Sequence, residues 1–125
     1  MENSVNIIIY QTEDGLTKLD VQLHDETVWL SQQQMAELFH SSRTNIVEHI
    51  KHIYQEGELM EISTCRKFRQ VQQEGNRMVS YNFDMIISLG YRVHSIVATN
   101  FRIWATQRLK EYIIDLEELI LKSIH

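Results

Sequence analysis

Three patterns in the chain predict an α+β fold. Apolar and polar residues alternate over residues 1–30, a helix–corner–helix pattern fills 31–56, and a turn signal in a basic segment leads into a long stretch of helical period. At 125 residues the chain suits one compact domain, and 43% hydrophobic residues exclude a disordered one. Cys65 is the only cysteine, which excludes an internal disulfide and a cysteine metal knuckle. No apolar run reaches the roughly 18–20 residues that span a bilayer. Met1-Glu2-Asn3-Ser4 lacks the basic-then-apolar layout of a signal peptide, so the expected location is cytoplasmic.

The first element is a β-meander over 1–30. Val5, Ile7 and Ile9, then Leu19, Val21 and Leu23, recur at period two, as in half-buried strands. Glu13-Asp14-Gly15 and Asp25-Glu26 supply the turns.

A helix pair follows over 31–56. Ser31 is placed to cap the first helix, whose apolar stripe is Met35, Leu38 and Phe39. His40-Ser41 is the corner. Glycine is favoured in a left-handed corner, and histidine tolerates that conformation better than most residues. Ala36 lets the two helices approach. Ser42 caps a second helix to about Gln55, with Gly57 fitting the left-handed position beyond its end.

Phe68 and Val71 before Gly75-Asn76, and Val79, Tyr81 and Phe83 after it, predict a β-hairpin over 63–83. Asp84 is then placed to cap a short helix, "MIISLGYRV". From His94 onward Val97, Phe101, Trp104, Leu109, Tyr112, Leu116 and Ile120 describe an amphipathic helix of about 27 residues. The segment 84–125 is thus helical, and no proline divides the chain, so 1–125 reads as a single domain.

The second helix carries the functional reading. With Ile46, Ile50 and Ile53 turned inward, steps of about 100° per residue put Thr44, Glu48, Lys51 and Gln55 on the opposite face. Asn and Gln can read adenine, Glu can accept from cytosine, and Lys and Arg serve guanine or phosphate. A recognition helix reads with its N-terminal residues. Ser42, Arg43, Thr44, Asn45 and Glu48 are therefore candidate readers, with Lys51 further along towards phosphate. The net charge of −5 opposes DNA binding, but it is unevenly spread. Within 63–80 four cations (Arg66, Lys67, Arg69, Arg77) face one acid, Glu74. A helix pair followed by a basic hairpin is the order of a winged helix-turn-helix, in which those cations would grip phosphates. The alternative for them is an ordinary solvated edge, where lysine and arginine discourage strand pairing.

Other chemistry is weakly represented. His49-x-x-His52 lacks further ligands for a tetrahedral metal site. Cys65 has no base beside it in sequence. No Walker loop, paired-carboxylate signature or nucleophile elbow is present. No enzyme activity, catalytic residue, metal or cofactor is expected.

The stretches "VWLSQQQMAELFHSSRTNIVEHIKHIYQEGEL", "YNFDMIISLGYRV" and "FRIWATQRLKEYI" resemble, in that order, the bacterial virulence-protein RhuM family. The likeness covers roughly residues 5–114, and the same module resembles the N-terminal part of some Fic-domain proteins. The resemblance implies DNA binding, in proteins often encoded near restriction–modification systems or on mobile elements. "YNFDMIISLGYRV…FRIWATQRL" also looks like the ending of phage antirepressor-type DNA-binding domains. Two departures stand out. Relatives carry a basic, glycine-containing stretch where this chain has "HSIVATN", and they continue past "DLEELILKSIH". The resemblance thus implies an N-terminal domain without its C-terminal partner.

The expected partner is double-stranded DNA. A homodimer through Leu109, Tyr112, Leu116, Leu119 and Ile120 is expected as well, because a protruding apolar stripe needs cover. The competing expectation is a protein-interaction or oligomerisation adaptor with a vestigial helix-turn-helix. Target sequence, regulated genes and the sign of regulation are not legible.

Overall fold

The computed structural model describes residues 6–69 and 77–124, and the side chains of all of these except Arg69 and Arg77. The elements run β1 (Asn6–Gln11), β2 (Lys18–His24), β3 (Thr27–Ser31), α1 (Gln32–Phe39), α2 (Arg43–Gln55), α3 (Glu61–Thr64), β4 (Cys65–Arg69), β5 (Arg77–Asn82), α4 (Phe83–Val93) and α5 (Ser95–Ile124). The strands form one antiparallel sheet in the order β1-β2-β3-β5-β4. The fold is α+β, and the helix pair α1–α2 is inserted between β3 and β4 in the chain. The predicted Gly75-Asn76 turn, with Val71, lies outside the described residues, as does Val5.

The β1–β2–β3 meander is present, but the inward phase of β1 is the reverse of the one expected. Ile8 and Tyr10 stand opposite Val21 and Leu19 and face the core, whereas Ile7 and Ile9 are 50% and 54% exposed. In "NIIIY" apolar residues occupy both phases, so periodicity cannot choose between them. Register with β2, whose Leu19, Val21 and Leu23 are all buried, makes the choice. Asp25 and Glu26 form the β2–β3 turn with φ of 53° and 60°.

The helix pair follows the sequence closely. Ser31 Oγ accepts from the Gln34 amide (3.2 Å), and Gln34 Oε1 accepts from the Ser31 amide (2.9 Å). This capping box satisfies donors that the helix itself leaves open. Gln34 Nε2 also donates to Asp20 O (2.7 Å), fastening α1 to β2. His40 ends α1 at φ 55°, ψ 49°, the left-handed corner expected of it. Ser42 caps α2 through the Asn45 amide, and Gly57 follows it at φ +79°. One expected cap is wrong. Asn82 Oδ1, not Asp84, accepts from the Met85 amide and caps α4 (3.2 Å). Phe83 already belongs to the helix, which leaves Asp84 exposed in the first turn, where its charge suits the helix dipole.

The core lies between one sheet face and the helices. Leu30, Phe39, Met35, Leu38, Ile46, Ile53, Met85, Ile86, Leu89 and Phe101 are all fully buried. α5 closes this face over β1, where Tyr10 meets Phe101 and Trp104 edge-on (ring centroids 5.2 and 4.9 Å). The short α3, which no sequence signal marked, is held by a relay. Tyr54 OH donates to Thr64 Oγ1 (2.9 Å), which donates to Met60 O (2.8 Å), and burial pushes the Tyr54 phenol up to about 12.

Arg92 clamps α4 to the end of α2 by donating to Glu56 (2.6 Å) and Glu58 (2.7 Å). These hydrogen bonds hold both carboxyls below their usual range. A depressed folded-state value stabilises above the unfolded carboxylate range and is lost as pH falls through the folded value. Thermal unfolding should therefore show a midpoint that falls as pH drops below about 4–5. An Arg92→Gln variant should give a flatter acid limb. Identical acid limbs would mean that the clamp adds nothing.

Candidate nucleic-acid interface

α2 turns Ile46, Ile50 and Ile53 into the core because apolar residues at i, i+4 and i+7 share one helix face. The same rotation leaves Thr44, Glu48, Lys51 and Gln55 exposed in a row. Glu48 and Lys51 form only a loose pair across one turn, 4.0 Å apart with both side chains more than half exposed. Such a pair costs little to open. At the head of the helix three candidate readers, Ser42, Arg43 and Asn45, are partly committed. The Ser42 hydroxyl accepts from the Asn45 amide (3.0 Å), so it serves as a cap. Asn45 Nδ2 donates to Ser41 Oγ (2.8 Å), which turns its amide towards the corner. Arg43 Nε donates to Gln32 Oε1 (3.1 Å), and Gln32 Nε2 donates to the Tyr81 hydroxyl (2.9 Å).

The hairpin divides its cations by strand parity. On β4, Cys65 and Lys67 stand opposite Tyr81 and Val79, both of which pack on the core side of the sheet. Lys67 therefore emerges on the face that carries the helices, and it is exposed. Arg66 stands opposite Ser80 on the other face. There it donates to Asp25 in the β2–β3 turn and lies over the Trp29 ring (4.9 Å to the centroid). The Arg66 guanidinium beside Asp25 holds that carboxyl below the usual carboxylate range. His24 and Trp29 each meet Phe68 edge-on, and Trp29 Nε1 donates to His24 O (2.9 Å), completing an aromatic cluster beneath Arg66. Arg66, expected among the phosphate-gripping residues, is thus already partnered by an acid. Arg69 and Arg77 are paired in register across the hairpin, and their side chains lie outside the described residues.

The expected dimer stripe also divides. Leu109 and Tyr112 are half-buried against the chain's own core. Leu116 is half-buried, while Leu119 and Ile120 are exposed. α5 carries further exposed apolar residues, Ile113, Ile114, Leu121 and Ile124. Sequence reasoning missed Gln32 and Asp25. The first was legible only as one of three glutamines, and the second acts on a residue 41 positions away. Among the described residues no group of three or more His, Cys, Asp and Glu side chains is placed to hold a metal ion, and no helix is long and apolar enough to cross a membrane.

Residues 63–119 match the model of the Virulence protein RhuM family, which bears out over that stretch the resemblance carried by the quoted motifs. The matched segment begins just ahead of β4 and takes in β5, α4 and most of α5; the α1–α2 pair precedes it. No curated protein and no solved structure matches the chain.

Proposed function

We propose that this RhuM-family segment and the helix pair ahead of it act as a winged helix-turn-helix that binds double-stranded DNA. In this reading α2 enters the major groove and the β4–β5 hairpin lies on phosphates. The observation that carries it is the exposed row Thr44, Glu48, Lys51 and Gln55 on a helix fixed from behind by three buried isoleucines. A left-handed corner at His40 and a sheet order β3-β5-β4, with the helix pair between β3 and β4, support it. In that connectivity the β4–β5 hairpin follows α2 in the chain, separated from it by the short α3.

The test is a salt titration of duplex binding. Each phosphate contact contributes about 0.9 to the slope of log affinity against log salt. Lys67→Ala should lower the slope by about that amount. Arg66→Ala should leave it nearly unchanged, because Asp25 already neutralises that guanidinium. Binding that ignores salt would remove the hairpin from the interface.

The second reading, an interaction adaptor, is favoured by the apolar residues exposed along α5 from Ile113 to Ile124. They serve equally as a homodimer seam. A two-fold pair would set two copies of α2 about one DNA turn apart.

A further inference from the structure

We infer that Gln32, which lies outside the row of candidate readers, is a positioning residue that presets Arg43 for contact with DNA; this rests on the DNA-binding reading above. Gln32 is the first residue of α1, Arg43 the first of α2, and Tyr81 belongs to β5. One carboxamide joins all three. Its oxygen accepts from Arg43 Nε (3.1 Å) and its nitrogen donates to the Tyr81 hydroxyl (2.9 Å). The two bonds fix the amide's orientation, since a flipped amide would set its NH2 group against the Arg43 Nε–H. Tyr81 is a firm anchor. It is 5% exposed and stands between Leu30 and Cys65 in the sheet register.

The contact does not read as helix stabilisation. A cation in the first turn of a helix opposes the helix dipole, and α2 carries no acid in its first turn to offset Arg43. What the contact does is restrict a long side chain. It engages the Nε–H alone. Among the described residues the two terminal nitrogens of Arg43 make no hydrogen bond or ion pair. Those nitrogens form the end-on fork that meets a phosphate, or the O6 and N7 of guanine, with two parallel bonds. A fork held in place loses less freedom on binding than a free one. Through Tyr81 the same amide ties the head of α2 to the hairpin strand, so reader and hairpin keep a fixed relation.

Two measurements on the full chain test this. The first needs no ligand: 15N relaxation of the Arg43 Nε–H, with the Arg102 Nε–H (donating to Tyr91 OH, 3.1 Å) as internal control. The Arg43 order parameter should fall below about 0.6 in Gln32→Leu, and fall less in Tyr81→Phe, with Arg102 unchanged. The second is a double-mutant cycle using a random-sequence duplex pool at low salt. Gln32→Leu should weaken binding about 3- to 10-fold in the parent chain and less than about 2-fold in an Arg43→Ala background. Equal losses in both backgrounds, or an Arg43 Nε–H as mobile in the parent as in Gln32→Leu, would overturn the inference. If Arg43 loses order in the variant but the parent chain binds no duplex, the positioning contact stands and the DNA-binding reading falls.

Discussion

A Gly90→Ala variant should be less stable than the parent chain by about 1–3 kcal/mol, although alanine is the better helix former. Gly90 lies within α4 with an ordinary backbone conformation, so its role is not a turn. A Cβ there would sit 2.5 Å from Phe39 Cζ and 2.8 Å from the Ala98 Cβ. Phe39 is fully buried at the end of α1, and Ala98 is fully buried in α5. The bare glycine thus lets α1, α4 and α5 approach to contact at one point. A gain of about 0.8–1 kcal/mol in helix propensity is too small to offset the overlap. Replacement by valine should cost more, since a branched side chain adds atoms at the same contact. Chemical denaturation reads the loss directly. Shrinking Phe39 to leucine in the Gly90→Ala background should recover part of it, giving a coupling of opposite sign to the single changes. A Gly90→Ala chain as stable as the parent would mean that the three helices do not meet as closely as described.

Replacing Thr44, Glu48, Lys51 and Gln55 together with alanine should leave folding intact and sharply reduce sequence discrimination on DNA. All four side chains are exposed, and exposed substitutions away from special features shift stability by about 0.5 kcal/mol or less each. Alanine also favours the helix. The core contacts of α2 run through Ile46, Ile50 and Ile53, which the variant keeps. A well-placed bidentate base contact is worth about 1–3 kcal/mol of discrimination, so losing two would cost about 30-fold to 20,000-fold in specificity. Residual binding should be the salt-sensitive, non-specific kind, carried by Lys67 and its neighbours. Loss of α-helical circular dichroism in this variant would locate the effect in the fold instead.

The sequence was most legible where a pattern had one physical solution. Isoleucines at 46, 50 and 53 admit only one inward face, and Ser42 and Gly57 bound the helix between them. His40 could be placed in the left-handed corner because it follows the apolar stripe of α1 and histidine tolerates that conformation better than most residues. It was less legible where neighbouring residues offered two solutions. The isoleucine run of β1 fits either phase, and only pairing with β2 decides. Asn82 and Asp84 are both good caps, and the choice rests on where β5 stops. Contacts between distant residues were not legible at all. Nothing local says that Asp25 in a turn will hold Arg66, or that Gln32 will join Arg43 to Tyr81. The first contact engages the Arg66 guanidinium, whereas the second holds Arg43 by its Nε–H alone.

If the outward face of α2 reads duplex DNA, that face decides which sequences are bound. Selection of bound sequences from a random duplex pool, run in parallel on the parent chain and the four-alanine variant, tests it most directly. The parent should enrich a short motif, repeated as a palindrome with half-sites about 10–10.5 base pairs apart, and the variant should lose that motif. A parent chain that enriches no sequence at low salt, or a variant that enriches the same motif, would contradict this reading of α2.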